Sequence, residues 1–436
     1  MRSKKRAGPR IREVKVTPIA MSDPPLLNSV GVHAPYALRT IIELITDDNI
    51  SGISEIPGNT EINSLLEHSG KVIVGADPFQ LSRIRAEIFD RFGTDETDNR
   101  GDNPWDNRKL VHVFSAIEVA CMDIQGKVSG RPVVDLLGGM CRESVPFSAY
   151  LFYKYKGAGG KLGYETDPGA TGWAAARQAR ALKPEEIVAQ ARSMIEEFGF
   201  RSIKLKGGVF HPREEVNAVI SLREAFGPDV PLRLDPNGVW KVETAIEYGK
   251  QLEGILEYLE DPTRGQEGMA EVRKALNLPL ATNMCTTSFE EIPDAVRIWS
   301  EDIILGDHHF WGGLREAVSL GKLCKTFGKG LSMHSNSHLG ISLMAMVHMA
   351  AAIPNLIYDL DTHYPWQSEE VIMGGRLRFE DGQLEVPREP GLGIALDYDM
   401  LEMLHDNFIN CGISRRDDTA EMKKIDPDWK FKATRW

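Results

Sequence analysis

The stretch SIKLKGGVF, residues 202–210, is followed by PLRLDPNG at 231–238, ILEYLEDP at 255–262 and LPLATNM at 278–284. Each holds a short apolar run that ends in polar residues. Three more such runs follow at 303–307, 330–335 and 356–362. Successive runs begin roughly 23 to 30 residues apart, which is room for a buried strand, a helix and two turns. The intervening segments have helical spacing. In 213–226, Val216, Val219 and Ile220 share one face, with charges on the other. Repeated βα units mean a parallel sheet, and an eighth strand at 145–152 favours closure into a (β/α) barrel. An open doubly wound sheet is the alternative. It usually carries a Gly-rich phosphate turn, and the sequence has no GxGxxG or Walker A stretch.

Outward from the barrel, the pattern changes. Residues 11–20 and 37–46 alternate like strands of a meander, and 79–92 and 110–125 read as helices, so the N-terminal part is an α+β domain. After about Pro387 no βα unit remains, and the tail is expected to pack back on that domain. The reading is three pieces: an α+β cap at 1–140, a barrel at 141–386 and a returning segment at 387–436. The Gly-rich stretch 157–172 is either an active-site loop or a connector.

The 436 residues suit a barrel of about 250 residues plus a second domain. With 42% hydrophobic and 26% charged residues, the composition is that of an ordinary soluble globular chain. The most apolar segment, 343–357, is broken by His348 and Pro354 and falls short of the ~20 residues of a membrane helix. The basic start, 1–10, has no apolar run behind it and reads as a solvated terminus rather than a signal. A net charge of −12 argues against a nucleic-acid partner. Five widely spaced cysteines without a CxxC argue for a reduced, cytoplasmic protein. If the substrate is an acid, the site must carry its own cations.

Barrel enzymes hold their chemistry at the C-terminal strand ends. Here those ends are Lys204-Leu205-Lys206, Asp235-Pro236-Asn237, Glu260-Asp261-Pro262, Thr282-Asn283, Asp307-His308, His334-Ser335-Asn336 and Asp361-Thr362-His363. Lys204 and Lys206 are two apart and share a strand face. Two lysines aimed into one mouth suit an anion between them, and crowding is expected to lower the pKa of one. Asp235, Glu260 and Asn283 lie on three successive strands, and such oxygen ligands suit a hard divalent ion, magnesium above all. A substrate carboxylate on that ion would gain stabilisation as its α-proton leaves. His334 lies across from the lysines, and Asp307 is placed to hold its far nitrogen. Singly, each motif has a plain structural reading as a turn, a helix cap or a solvated lysine. His309 reads as packing, His308 is open, and His338 competes with His334 for a functional role. All the motifs fall at one end of successive strands, and that strengthens the chemical reading.

Together these residues resemble the enolase superfamily, and within it the glucarate dehydratases. The resemblance runs over nearly the whole chain. Its specific pieces include the loop from Leu27-Asn28-Ser29 to His33-Ala34-Pro35, Lys204-Leu205-Lys206-Gly207-Gly208, Ala281-Thr282-Asn283-Met284, Asp307-His308-His309-Phe310-Trp311 and Trp429-Lys430-Phe431. The resemblance implies a (β/α)7β barrel and a Lys or His base working with Mg2+. Asp235, Glu260 and Asn283 would hold the metal, and Lys204 would contact the substrate carboxylate. Lys206 would be the base on one face and His334, paired with Asp307, the base on the other. Asn28, His33, Tyr150, Asn237, Asn336, His363 and Arg416 would contact a diacid sugar. The implied reaction is dehydration of D-glucarate, with L-idarate epimerised alongside, to a 4-deoxy-5-keto acid. Another acid sugar such as galactarate is the nearest alternative, and a non-catalytic binding barrel is the alternative from a different class. A symmetric homo-oligomer is compatible with the sequence. The segment Asn103-Pro104-Trp105-Asp106 departs from the family's Thr-bearing pattern, and Ser414-Arg415-Arg416 offers a choice of two arginines.

Overall fold

The computed structural model describes residues 8–93, 108–160, 164 and 166–436. The basic start at 1–7 and the segment at 103–106 lie outside these residues. Seven strands form one parallel sheet in chain order: Ala149–Phe152, Ile203–Lys206, Leu232–Asp235, Tyr258–Glu260, Leu280–Thr282, Ile303–Gly306 and Gly330–Met333. Apart from Lys206 and Gly330 at opposite ends, these residues are buried, so the strands read as near-continuous apolar runs. Amphipathic helices such as Pro212–Phe226 and Leu314–Phe327 lie between them.

Two expected strands differ. The run at 356–362 is not a regular strand. It makes single parallel bridges, Leu356 to Leu331 on the last barrel strand and Leu360 to Phe147 just before the first. Asp361 N donates to Met333 O at 3.2 Å and Leu360 N to Pro146 O at 2.9 Å. The eighth position is thus a link that joins the sheet's two edges and closes the barrel. The run at 145–152 is split. Ser144–Pro146 pairs antiparallel with Gln383–Glu385, and only Ala149–Phe152 joins the barrel. The break falls where Phe147 N donates to Gly382 O and Ser148 N to Leu360 O, which turns the chain from one partner to another.

The N-terminal part has three antiparallel strands, Ile11–Ser22, Tyr36–Thr46 and Ser51–Pro57, with the middle one central. Helices Thr60–Ile73, Leu81–Phe92 and Lys109–Ser129 follow. The third strand and first helix were not picked out by periodicity. The tail helix Tyr398–Asn410 packs on the first strand, and Asp418–Ile425 packs on the short hairpin of Leu27–Asn28 and Gly31–Val32. The end of the chain goes further than expected and reaches the barrel. Arg435 N donates to Val239 O at 2.8 Å, and Arg264 Nε to Ala433 O at 3.1 Å. Among the described residues, no helix is long and apolar enough to cross a membrane.

Glu118, in the middle of Lys109–Ser129, is buried and accepts from the backbone N–H groups of Leu314 and Arg315 at 3.0 and 3.2 Å. It thereby caps the barrel helix Leu314–Phe327, whose own N-cap residue, Gly313, has no side chain to offer. Burial pushes its carboxyl up from 4.5 to about 7, and the two amides only partly offset this. The folded chain therefore keeps a proton between pH 4.5 and 7 that the unfolded chain has released, so stability falls as pH rises through that window and levels off above it. Glu118→Gln should remove one proton's share of that slope, about 1.4 kcal/mol per pH unit. Urea denaturation at a series of pH values checks this, and an unchanged slope would refute it.

Candidate active site

The strand order brings Lys206, Asp235, Glu260 and Asn283 together at one rim of the barrel. Lys206 Nζ lies 2.5 Å from Asp235 Oδ2, while Asp235 Oδ1 accepts from Asn237 N at 2.8 Å. Asn237 takes a left-handed φ of 60°, which turns the chain back above the strand. Asn283 Nδ2 donates to Glu260 Oε1 at 2.6 Å. Asp261, not singled out in the sequence, accepts from Thr282 Oγ1 at 2.5 Å and Asn283 N at 2.9 Å, and so ties the fourth strand end to the fifth. Lys204 is fully buried. Its ammonium contacts Glu260 and lies 2.5 Å from Asp361 Oδ2 and 4.7 Å from the Tyr150 ring centre.

The crowding expected to lower a lysine pKa is thus offset by carboxylates. Burial works against the charge on Lys204, but Asp361 and Glu260 outweigh it and hold its pKa well above the ordinary value. Burial also works to raise Asp235, and Lys206 and Lys204 bring it below the usual carboxylate range. Glu260 goes the other way. Burial, then Asp235, Asp361 and Asp261, push it well up despite Lys204. Its Oε2 touches the Lys204 ammonium without hydrogen-bond geometry. A buried carboxyl with three further acids near it, beside a second carboxylate and an amide that can turn its oxygen inward, is a donor set that gains from a hard divalent cation.

Past the ends of the sixth and seventh strands, His334 Nδ1 lies 3.1 Å from Asp307 Oδ2, and its ring stacks on Phe310 at 4.9 Å. Asp307 serves a second histidine. His309 Nδ1 lies 2.8 Å from Asp307 Oδ1, and its Nε2 lies 3.0 Å from the Glu55 carbonyl oxygen. His309 is therefore a partner of the dyad and not simple packing. Burial works to raise Asp307, but His309 and the bond from His334 hold it well below the usual range. His338 is buried, its Nε2 is 3.0 Å from Thr362 Oγ1, and burial puts its pKa far down. His308 is also buried, its ring tilted against His309 with the ring centres 3.9 Å apart.

The remaining residues form two groups. Tyr150, buried, packs its ring 4.8 Å from His363, whose Nδ1 lies 3.1 Å from Ser335 Oγ. Asn28, His33 and Arg416 meet at the junction of cap and tail. Arg416 Nη2 lies 2.6 Å from His33 Nε2, and both Asn28 and Arg416 bond to Asp418. Arg415 instead points to Asp417 at 4.0 Å and is largely exposed. In the loop at 157–172, Gly160 N donates to Pro35 O at 2.7 Å and the Tyr164 hydroxyl donates to His33 O.

Asn336 has an unforeseen partner. Arg39, on the cap's central strand, donates from Nη1 to Asn336 Oδ1 at 3.0 Å and from Nε to Glu55 Oε1 at 2.7 Å. Glu55 also accepts from Leu339 N at 2.8 Å and Ser342 N at 3.0 Å, at the start of the barrel helix Gly340–Ala351. Arg39, Glu55 and Asp418 lie in stretches without a strand-end signal. Asp361 was visible, as part of the eighth strand end.

A family model for the mandelate racemase / muconate lactonizing enzyme N-terminal domain matches residues 11–138, and one described as enolase C-terminal domain-like matches 186–400. A "probable glucarate dehydratase" of Streptomyces coelicolor is 45% identical over 96% of this chain and 97% of that protein. An enolase from Mycobacterium smegmatis complexed with tartrate shares 51% identity and a TM-score of 0.91, covering all of both chains. One from Pseudomonas fluorescens, with bound magnesium, potassium and tartrate, shares 46% identity and a TM-score of 0.91 over 99% of this chain and 100% of that one.

Arg39 and Glu55 are 1% and 0% exposed. Replacing Arg39 with methionine leaves the Glu55 charge buried without its partner, an arrangement that costs about 3–5 kcal/mol. Denaturant unfolding of Arg39→Met should show a loss of that order, and a loss below about 1 kcal/mol, the scale of an exposed pair, would contradict the pairing.

Proposed function

Since the chain belongs to the enolase superfamily, we propose that it is a magnesium-dependent dehydratase of acid sugars, with D-glucarate as its substrate. The chain's dehydratase relatives support a hydro-lyase. The finer reading is supported by two candidate bases at the ends of barrel strands two and seven, Lys206 against Asp235 and His334 against Asp307, with Glu260 and Asn283 paired on the ends of strands four and five. Asp235, Glu260 and Asn283 would hold the cation. When bound, it supplies positive charge to the carboxylate next to the carbon that loses its proton.

The chain's own residues do the rest. His334 Nε2 takes the C5 proton of D-glucarate, with Nδ1 held by Asp307. The electron pair left at C5 forms the C4–C5 double bond as the C4 hydroxyl departs. The proton on His334 goes to that hydroxyl, so water leaves. The resulting enol becomes the 5-keto-4-deoxy acid by taking a proton at C4 and releasing one from oxygen. Lys206 serves the opposite face, where the C5 epimer, L-idarate, presents its proton. Proton return from the other face interconverts the two epimers. Tyr150, Asn237, Asn336 and His363 line the path along the sugar, and Asn28, His33 and Arg416 lie at its far end.

The test is incubation of the purified chain with D-glucarate, with and without magnesium, following keto-acid formation, with galactarate in parallel. Magnesium-dependent product from D-glucarate is expected, and product from galactarate alone would overturn the substrate. His334→Asn should cut kcat on D-glucarate by at least about 100-fold. It should still let Lys206 exchange the C5 proton of L-idarate with D2O. Loss of both reactions on an intact fold would sink the two-base assignment. Magnesium should also raise the wild-type melting temperature, and Glu260→Gln should abolish that rise.

A further inference from the structure

Asp418 opens the tail helix Asp418–Ile425, and its carboxylate is buried. Three donors converge on it. Arg416 Nε lies at 2.8 Å, Arg416 Nη2 at 2.6 Å and Asn28 Nδ2 at 2.6 Å. The other end of the Asn28 amide is also used, because Oδ1 accepts from Val30 N at 2.8 Å and Gly31 N at 3.1 Å. Arg416 can only donate, so His33 accepts at Nε2 and carries its proton on Nδ1, which faces Asp23 Oδ2 at 2.8 Å. Asp418 is 0% exposed, while the Arg416 side chain keeps 35%. One edge of the guanidinium is thus anchored on a buried acceptor while part of the side chain stays accessible.

The backbone fixes this anchor as tightly as the side chains do. Gly31 has a φ of +146°, and a Cβ there would lie 2.1 Å from the Asp418 carbonyl oxygen. Thr419 Oγ1 donates to Val30 O at 2.8 Å. The cap hairpin and the start of the tail helix are therefore in backbone contact. The direction of Arg416 depends on that contact.

We propose that Asp418 is a positioning residue for recognition of the substrate end remote from the reacting carbon. It sets the direction from which Arg416 and Asn28 meet the remote carboxylate. It also offsets the arginine's charge, so that this end is read by directed hydrogen bonds. This rests on the reading of Asn28 and Arg416 as contacts of a diacid sugar.

Asp418→Ala should raise KM for D-glucarate about tenfold or more and leave kcat within a factor of about three, as expected for a group that acts on binding alone. Asp418→Asn, which keeps one acceptor oxygen but neither the second acceptor nor the charge, should recover only part of that loss. Gly31→Ala, on the other element, should reproduce the KM effect. Tartronate, an α-hydroxy acid too short to reach the tail, should bind wild type and Asp418→Ala with the same Kd by calorimetry in the presence of magnesium. An unchanged KM in Asp418→Ala overturns the proposal. So does a parallel loss of D-glucarate turnover and tartronate binding, which would mean general damage to the fold. A wild-type chain that binds tartronate but leaves D-glucarate unchanged overturns the parent reading, and this proposal with it.

Discussion

Lys204 has no access to water, and its ammonium lies between the carboxylates of Glu260 and Asp361. Taking three charges out of water is costly, and removing any one partner would leave another buried and unpaired. That constraint organises the barrel. Asp361 comes from the irregular link that closes the sheet, Glu260 from the fourth strand and Lys204 from the second. The closing segment makes only isolated bridges, and this ionic contact ties it to the second and fourth strands as well. Arg233 extends the arrangement. It pairs with Glu257 at 2.7 Å, reaches Asp359 O at 2.7 Å, and lies 3.8 Å from Asp361.

The cap does for barrel helices what local N-cap side chains do in many proteins. Leu314–Phe327 and Gly340–Ala351 have no side-chain cap of their own. Glu118 and Glu55, from the other part of the chain, take those first N–H groups. Both helices follow strands whose ends carry the His334 and Asp307 dyad. The loops over the dyad are therefore held in part by groups that arrive when the cap docks, while Gly340 N is taken by Glu370 of the barrel segment at 3.0 Å. Glu55 does this twice, since its carbonyl oxygen also meets His309, which shares Asp307 with His334.

Much of the architecture was legible because its signals are local. Strand and helix periods repeat along the chain, and the C-terminal ends of successive parallel strands must lie on one rim. That geometry alone put Lys206, Asp235, Glu260, Asn283 and His334 in one place. The runs at 356–362 and 145–152 read as single strands, but an apolar run marks burial and does not reveal which backbone partner each residue finds. His309 looked like packing because nothing next to it in sequence distinguishes a histidine that shares Asp307 from one that fills space.

The sequence by itself determined the barrel, the cap and which residues stand at the strand ends, because periodicity and strand order follow from neighbours a few residues apart. Only the tertiary structure decided the partners of the buried charges. Arg39 with Glu55 and Asn336, Lys204 with Asp361, and Asp418 with Asn28 and Arg416 join residues from different elements, up to 390 positions apart. A buried charge must be paired, but that requirement says nothing about which of many acids and bases will meet it. The packing of cap, tail and barrel makes that choice.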